Sequence, residues 1–119
     1  MKVIRVGVTG GRDYGDSAKV CHVLNRAHSV LKGRMFLVVG DARGLDTHAR
    51  LWAIATLALD KHQLFKADWD QYGPAAGPIR NKAMIDSGLN LLIAFPGGKG
   101  TANMKQQCRE RGIKILEIE

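Results

Sequence analysis

Three short apolar runs in this chain each break into a glycine-rich turn and then into helix-forming sequence: "VGVTGGRDYGD", "FLVVGDARGLD" and "LLIAFPGGKGT". A strand that must become a helix within a few residues needs backbone unencumbered by Cβ atoms, which is what glycine supplies. Repeating that unit commits the chain to strands alternating with helices. The apolar runs at 3–8, 35–39, 63–65, 89–95 and 113–118 are short and rich in β-branched residues or leucine, as strands buried on both faces are. Helical periodicity covers 17–31, with Val20, Leu24, Ala27 and Leu31 on one face, and then 46–59, 78–87 and 101–111. Pro78 suits a first helical turn, and Gly33, Gly88 and Gly112 stand where helices should stop. Asp16 or Ser17 is placed to cap the first helix and Asp46 the second.

Such alternation implies right-handed crossovers and helices on both sheet faces. The predicted architecture is therefore α/β: a small Rossmann-like, doubly wound parallel sheet of five strands in the order 3-2-1-4-5. With 119 residues, 45% of them hydrophobic, the chain is expected to form one domain over 1–119. In that strand order all three glycine turns share the carboxyl rim of the sheet, and the winding reverses between the first and fourth strands. "GGRDY" and "PGGKGT" then flank one crevice.

Turns without side chains bring backbone N–H groups close to a ligand, and the positive end of the following helix favours an anion, so phosphate is the natural guest. Any single turn is explained by the strand-to-helix geometry alone; three on one rim favour a binding site. The expected ligand-binding residues are Gly10, Gly11, Arg12 and Asp13 in the first turn, Gly40, Arg43 and Asp46 in the second, Arg80 and Asn81 on the third long helix, and Pro96, Gly97, Gly98, Lys99, Gly100 and Thr101 in the last turn. The arginines and Lys99 suit phosphate oxygens. Asp13 equally suits a local ion pair with Arg12. Neither the G-x-x-x-x-G-K-[ST] loop of phosphate-hydrolysing enzymes nor the G-x-G-x-x-G dinucleotide fingerprint occurs. Trp69 and Tyr72, in the polar connection "ADWDQYGPAAGPIRN", are placed either to stack on a base or to plug the core; Trp52 is read as core or as a subunit contact.

A formal charge of +7 and a pI near 9.8 suit an anionic partner, a nucleotide before a nucleic acid, since no run of basic residues interleaved with aromatics appears. The four histidines lack metal-ligand spacing, so neither metal nor cofactor is expected. Cys21 and Cys108 are read as reduced, buried thiols. A strand-like opening and the lack of a membrane-length apolar stretch suggest a cytoplasmic protein without a membrane partner.

Together "GGRDY", "ARGLD", "ADWDQYGPAAGPIRNKAM" and "AFPGGKGT" resemble the YspA/YpsA-related branch of the SLOG superfamily, over nearly the whole chain. That superfamily includes the Lonely Guy phosphoribohydrolases, the DNA-processing protein DprA and domains thought to sense nucleotide-derived signals. The resemblance implies a nucleotide-type ligand at the glycine turns and a homodimer through helices on one sheet face. The Lonely Guy motif P-G-G-x-G-T-x-x-E, with an arginine upstream, is taken to cleave N-glycosidic bonds. Pro96 to Thr101 match its phosphate-binding part and Arg80 its arginine, but Met104 stands where the glutamate belongs. A thioether neither moves a proton nor stabilises a cationic sugar. The resemblance thus favours binding or sensing over hydrolysis, with a nucleic-acid binder third; if the chain is a hydrolase, its catalytic candidates are Arg80 and a substitute carboxylate, Asp68 foremost.

Overall fold

The computed structural model describes residues 2–119. Five strands, β1 (Ile4–Thr9), β2 (Met35–Gly40), β3 (His62–Phe65), β4 (Leu91–Ala94) and β5 (Lys114–Glu117), form one sheet. Every pairing is parallel and the order is β3-β2-β1-β4-β5, as expected. The register sets Val6 between Leu37 on β2 and Leu91 on β4. Between the strands run α1 (Ser17–Val30), α2 (Leu45–Thr56), the single turn α3 (Trp69–Tyr72), α4 (Ala76–Asp86) and α5 (Lys99–Glu110).

Alternation along each strand divides the core in two. Val6, Val8, Leu37, Val39, Ile93 and Phe95 face α1 and α2, packing on Val20, Leu24, Leu45, Ala49 and Trp52. Val38, Leu92 and Ala94 face the other way, onto Met84 and Ile85 of α4 and Met104 and Cys108 of α5. Trp52 is core: it is buried, and its Nε1 donates to Asn25 Oδ1 of α1 at 2.8 Å. Asp16 caps α1 by accepting from the Lys19 amide at 3.0 Å.

Several local expectations are corrected. Cys21 is exposed on α1, while Cys108 is buried, which pushes its thiol up to about 11. Gly44, not Asp46, is the N-cap of α2. That helix stops at Thr56, short of the expected 59, because Leu57 turns extended, and a 3-10 turn at Leu59–Lys61 follows. The connection after β3 is not irregular: Asp68 accepts from the Gln71 amide at 3.1 Å and starts α3, a 3-10 turn (Gly73–Ala75) follows, and α4 begins two residues before Pro78. α5 begins at Lys99, so part of the last glycine turn is helix.

Gly44 carries the entry to α2 at φ +74°, and a Cβ there would press into the carbonyls of Gly11 and Arg12. Gly44→Ala is therefore expected to cost more than about 2 kcal/mol, adding a clash to the left-handed strain. Denaturant titration checks this; an unchanged midpoint would refute the crowding.

Candidate functional site

Because β1 lies between β2 and β4, their carboxyl ends open into a shared cleft of about 810 Å³. Gly10, Gly11, Arg12 and Asp13 line it from β1, Gly40 and Asp46 from β2 and α2, Arg80 and Asn81 from α4, and Pro96 through Thr101 from β4 and α5. Arg43 stands just outside, in an adjoining pocket of about 240 Å³ shared with Arg12, Asp41, Trp69 and Arg80. Asp68 lines neither: it is exposed and spent on capping α3. The walls also take Thr9, Tyr14, Trp69, Pro74, Gly77 and Asn103.

The first and last turns meet backbone to backbone. The Gly11 amide donates to the Pro96 carbonyl at 2.9 Å, and a Cβ on Gly97 would lie 2.7 Å from the Gly11 nitrogen and also collide with Thr101 Oγ1. Packing therefore requires Gly97. Gly98 and Gly100 differ, since a Cβ on either would meet no protein atom within 4 Å. Gly98 caps α5 with no side-chain hydrogen bond, and the amides of Lys99, Gly100 and Thr101 find no acceptor among the described residues. These are the orphan donors of a helix start that lines the cleft, with the positive end of the helix behind them.

A chain of polar contacts links the turns after β2 and β4 with the backbone after β3. Asp41 Oδ1 accepts from Arg80 Nη1 at 2.9 Å and from the Ala67 amide at 3.1 Å. Arg80 Nε donates to Asn81 Oδ1 at 3.1 Å, and Asn81 Nδ2 reaches the Gly100 carbonyl at 3.3 Å and Asn103 Oδ1 at 3.2 Å. Gln107 Nε2 donates to the same Asn103 oxygen at 2.8 Å, so the Asn103 amide nitrogen is left as a donor at the cleft wall. Arg80, with its side chain only 10% exposed, spends two of its donors inside this network. The pairing expected between Arg12 and Asp13 does not form. Asp13 instead lies 3.7 Å from Arg43 in an exposed ion pair, and Arg12 sits 5.2 Å over the Trp69 ring. Tyr72 is exposed and away from the cleft.

Asp46 is the buried acid of the site, 7% exposed, with Oδ2 accepting from the Ala42 amide at 3.1 Å. Burial, only partly offset by Arg80 and the Ala42 amide, pushes its carboxyl up to about 6. Asn103 was not foreseen from sequence; the signal was available in the helical spacing of Thr101, Met104 and Cys108, which turns those three inward. Met104 is fully buried against Met84, Leu92 and Cys108 and does not line the cleft. Among the described residues no His, Cys, Asp and Glu side chains gather into a metal site, and no helix is long and apolar enough to cross a membrane.

The model of the YspA, cpYpsA-related SLOG family matches residues 4–72, which hold the first two glycine turns and Trp69. The chain is also similar to the Gene 61 protein of Mycobacterium phage D29, with 32% identity over 120 residues covering 96% of this chain and 95% of that one. The chain belongs to the YspA, cpYpsA-related SLOG family.

Two outcomes follow from the buried groups. The Asp46 carboxyl is raised from 3.8 to about 6 by folding, so its ionisation opposes folding above pH 6 and has no effect below pH 3.8. Asp46→Asn should accordingly be more stable than wild type at pH 8, by on the order of 3 kcal/mol, with the difference closing as pH falls through that window. Equal pH–stability curves for both proteins would contradict it. Met104→Glu should lose several kcal/mol by burying a carboxylate, whereas Asn103→Asp, keeping the accepting oxygen, should lose far less. Thermal melts of the two variants test the assignment of helix faces, and the reverse ranking would overturn it.

Proposed function

Starting from membership of a family with a nucleotide-related role, we propose that the cleft binds a nucleotide or nucleotide-derived ligand whose phosphate rests on the turn that opens α5. The observation that carries this reading is the row of unpartnered amides at Lys99, Gly100 and Thr101, in a cleft wall where Gly98 and Gly100 leave open space. Three free amides at a helix start, with Lys99 in the same turn, suit an anion. Arg12, free of any ion pair, adds positive charge on the opposite wall, and the Trp69 ring offers a surface for a base. The glutamate of the Lonely Guy motif has no counterpart facing the cleft from α5, where Met104 is buried in its place, which supports binding or sensing rather than hydrolysis.

Gly98→Val tests the placement. The new side chain meets no protein atom, so stability should change by less than about 1 kcal/mol, the scale of an exchange at a helix cap. It would occupy the space in front of the amides, and affinity for nucleoside monophosphates should fall at least about tenfold, or 1.4 kcal/mol. Calorimetry on the folded variant with unchanged affinity would refute the site. Chromatography of the same mixtures checks for released base; turnover by the wild-type protein would replace the binding reading with a hydrolase.

A further inference from the structure

The family's shared nucleotide-related role leaves open what part of a ligand the other end of the cleft would read. That end is built around Asp46, a side chain more than nine-tenths buried in the cleft wall. An ionised carboxylate offers about four acceptor sites. Asp46 uses one of them, on the Ala42 amide, and no other donor among the described residues reaches it. The remaining carboxylates nearby are committed or exposed: Asp41 holds Arg80 and the Ala67 amide, and Asp13 lies in solvent. Asp46 is thus the buried acceptor of the cleft with capacity to spare.

Its position relative to the phosphate turn is set by topology. Asp46 follows β2 and the α5 turn follows β4, with β1 between them, so the two ends stand two strand spacings apart, roughly 10 Å. The floor between them begins with Gly10 and Gly11, from which no side chain rises. We propose that Asp46 reads the sugar: its carboxylate accepts a hydrogen bond from a ribose hydroxyl of a nucleotide whose phosphate lies on the α5 turn, and the cleft thereby selects ribonucleotides over deoxyribonucleotides. This rests on the phosphate placement proposed above. A buried acceptor left without its hydroxyl is desolvated for nothing, which is the source of discrimination. The carboxyl raised to about 6 is consistent with an acceptor waiting for a donor.

The test measures, by calorimetry on the full chain, the affinities of ribonucleoside, 2′-deoxyribonucleoside and 3′-deoxyribonucleoside 5′-monophosphates. Wild type should bind the ribo form at least about tenfold tighter than one of the two deoxy forms. Asp46→Ala should bring that ratio close to one, and Asp46→Asn, which keeps the shape and the bond from Ala42 but is a weaker acceptor, should reduce it. If the Ala variant does not fold, the Asn variant decides. A wild-type ratio near one for both deoxy forms, or a ratio that survives at position 46 in the folded variants, overturns the sugar assignment. If Gly98→Val still weakens every nucleotide in that case, the phosphate placement stands alone; if no nucleotide binds wild type, both readings fall.

Discussion

The site depends on one close approach, the contact of the β1 and β4 turns across the point where the sheet winding reverses. The Gly11 amide meets the Pro96 carbonyl at 2.9 Å, and the space that a Gly97 side chain would need is already filled by the Gly11 nitrogen and the Thr101 hydroxyl. Adjacent parallel strands bring the turns within reach, but only a missing Cβ lets them touch. Once they touch, Gly98 is carried outward as the cap of α5, and the helix start faces open space instead of its own chain. The same turn receives α2, because the Leu45 amide donates to the Gly11 carbonyl at 3.1 Å. A single backbone segment thus fixes where two helices begin.

Charge is handled differently from packing. The Arg80–Asp41 contact, at 2.9 Å with both side chains mostly covered, is the kind of pair whose desolvation offsets much of its Coulombic gain. Its value lies in connectivity: Asp41 follows β2 and takes the backbone after β3, while Arg80 passes the linkage through Asn81 to the carbonyl of Gly100. The segments after β2, β3 and β4 are tied together through Arg80 and Asn81 of α4. Removing Arg80 would leave Asp41 unpaired and release that register, so loss of affinity in such a variant would not isolate a phosphate contact.

The features that could be read from sequence were those with a strong backbone signature. Strand–glycine–helix units repeat, and their order on the rim follows from handedness, so the sheet order and nearly all of the candidate cleft residues were legible. What escaped was decided by tertiary contact. "ADWDQYGPAAGP" reads as loop because its glycine and prolines break periodicity, yet one Asp68 cap is enough to start helix there. Asp46 has the residue type of a cap, but Gly44, at positive φ against the Gly11 and Arg12 carbonyls, takes that place and leaves the acid inside the first turn and buried. Cys21 lies on a helix whose buried stripe runs through Val20 and Leu24, which turns the neighbouring thiol outward.

The fate of Met104 follows from the same stripe logic applied to α5. Thr101, Met104 and Cys108 recur at intervals of three and four and are all buried, so the helix has a single inward face and position 104 belongs to it. Rotation to bring residue 104 into the cleft would expose Cys108 and withdraw Asn103 from its hydrogen bonds with Asn81 and Gln107. In this chain α5 therefore presents amide donors to the cleft and keeps its sulfur atoms in the core. A buried carboxylate comes to the cleft from the other side, on α2, where burial holds Asp46 close to the midpoint between its charged and neutral forms in mildly acidic solution. Donors on α5 and an acceptor on α2, separated by a glycine floor, make the cleft polar in a directional sense: one end suits an anion and the other suits a hydroxyl group.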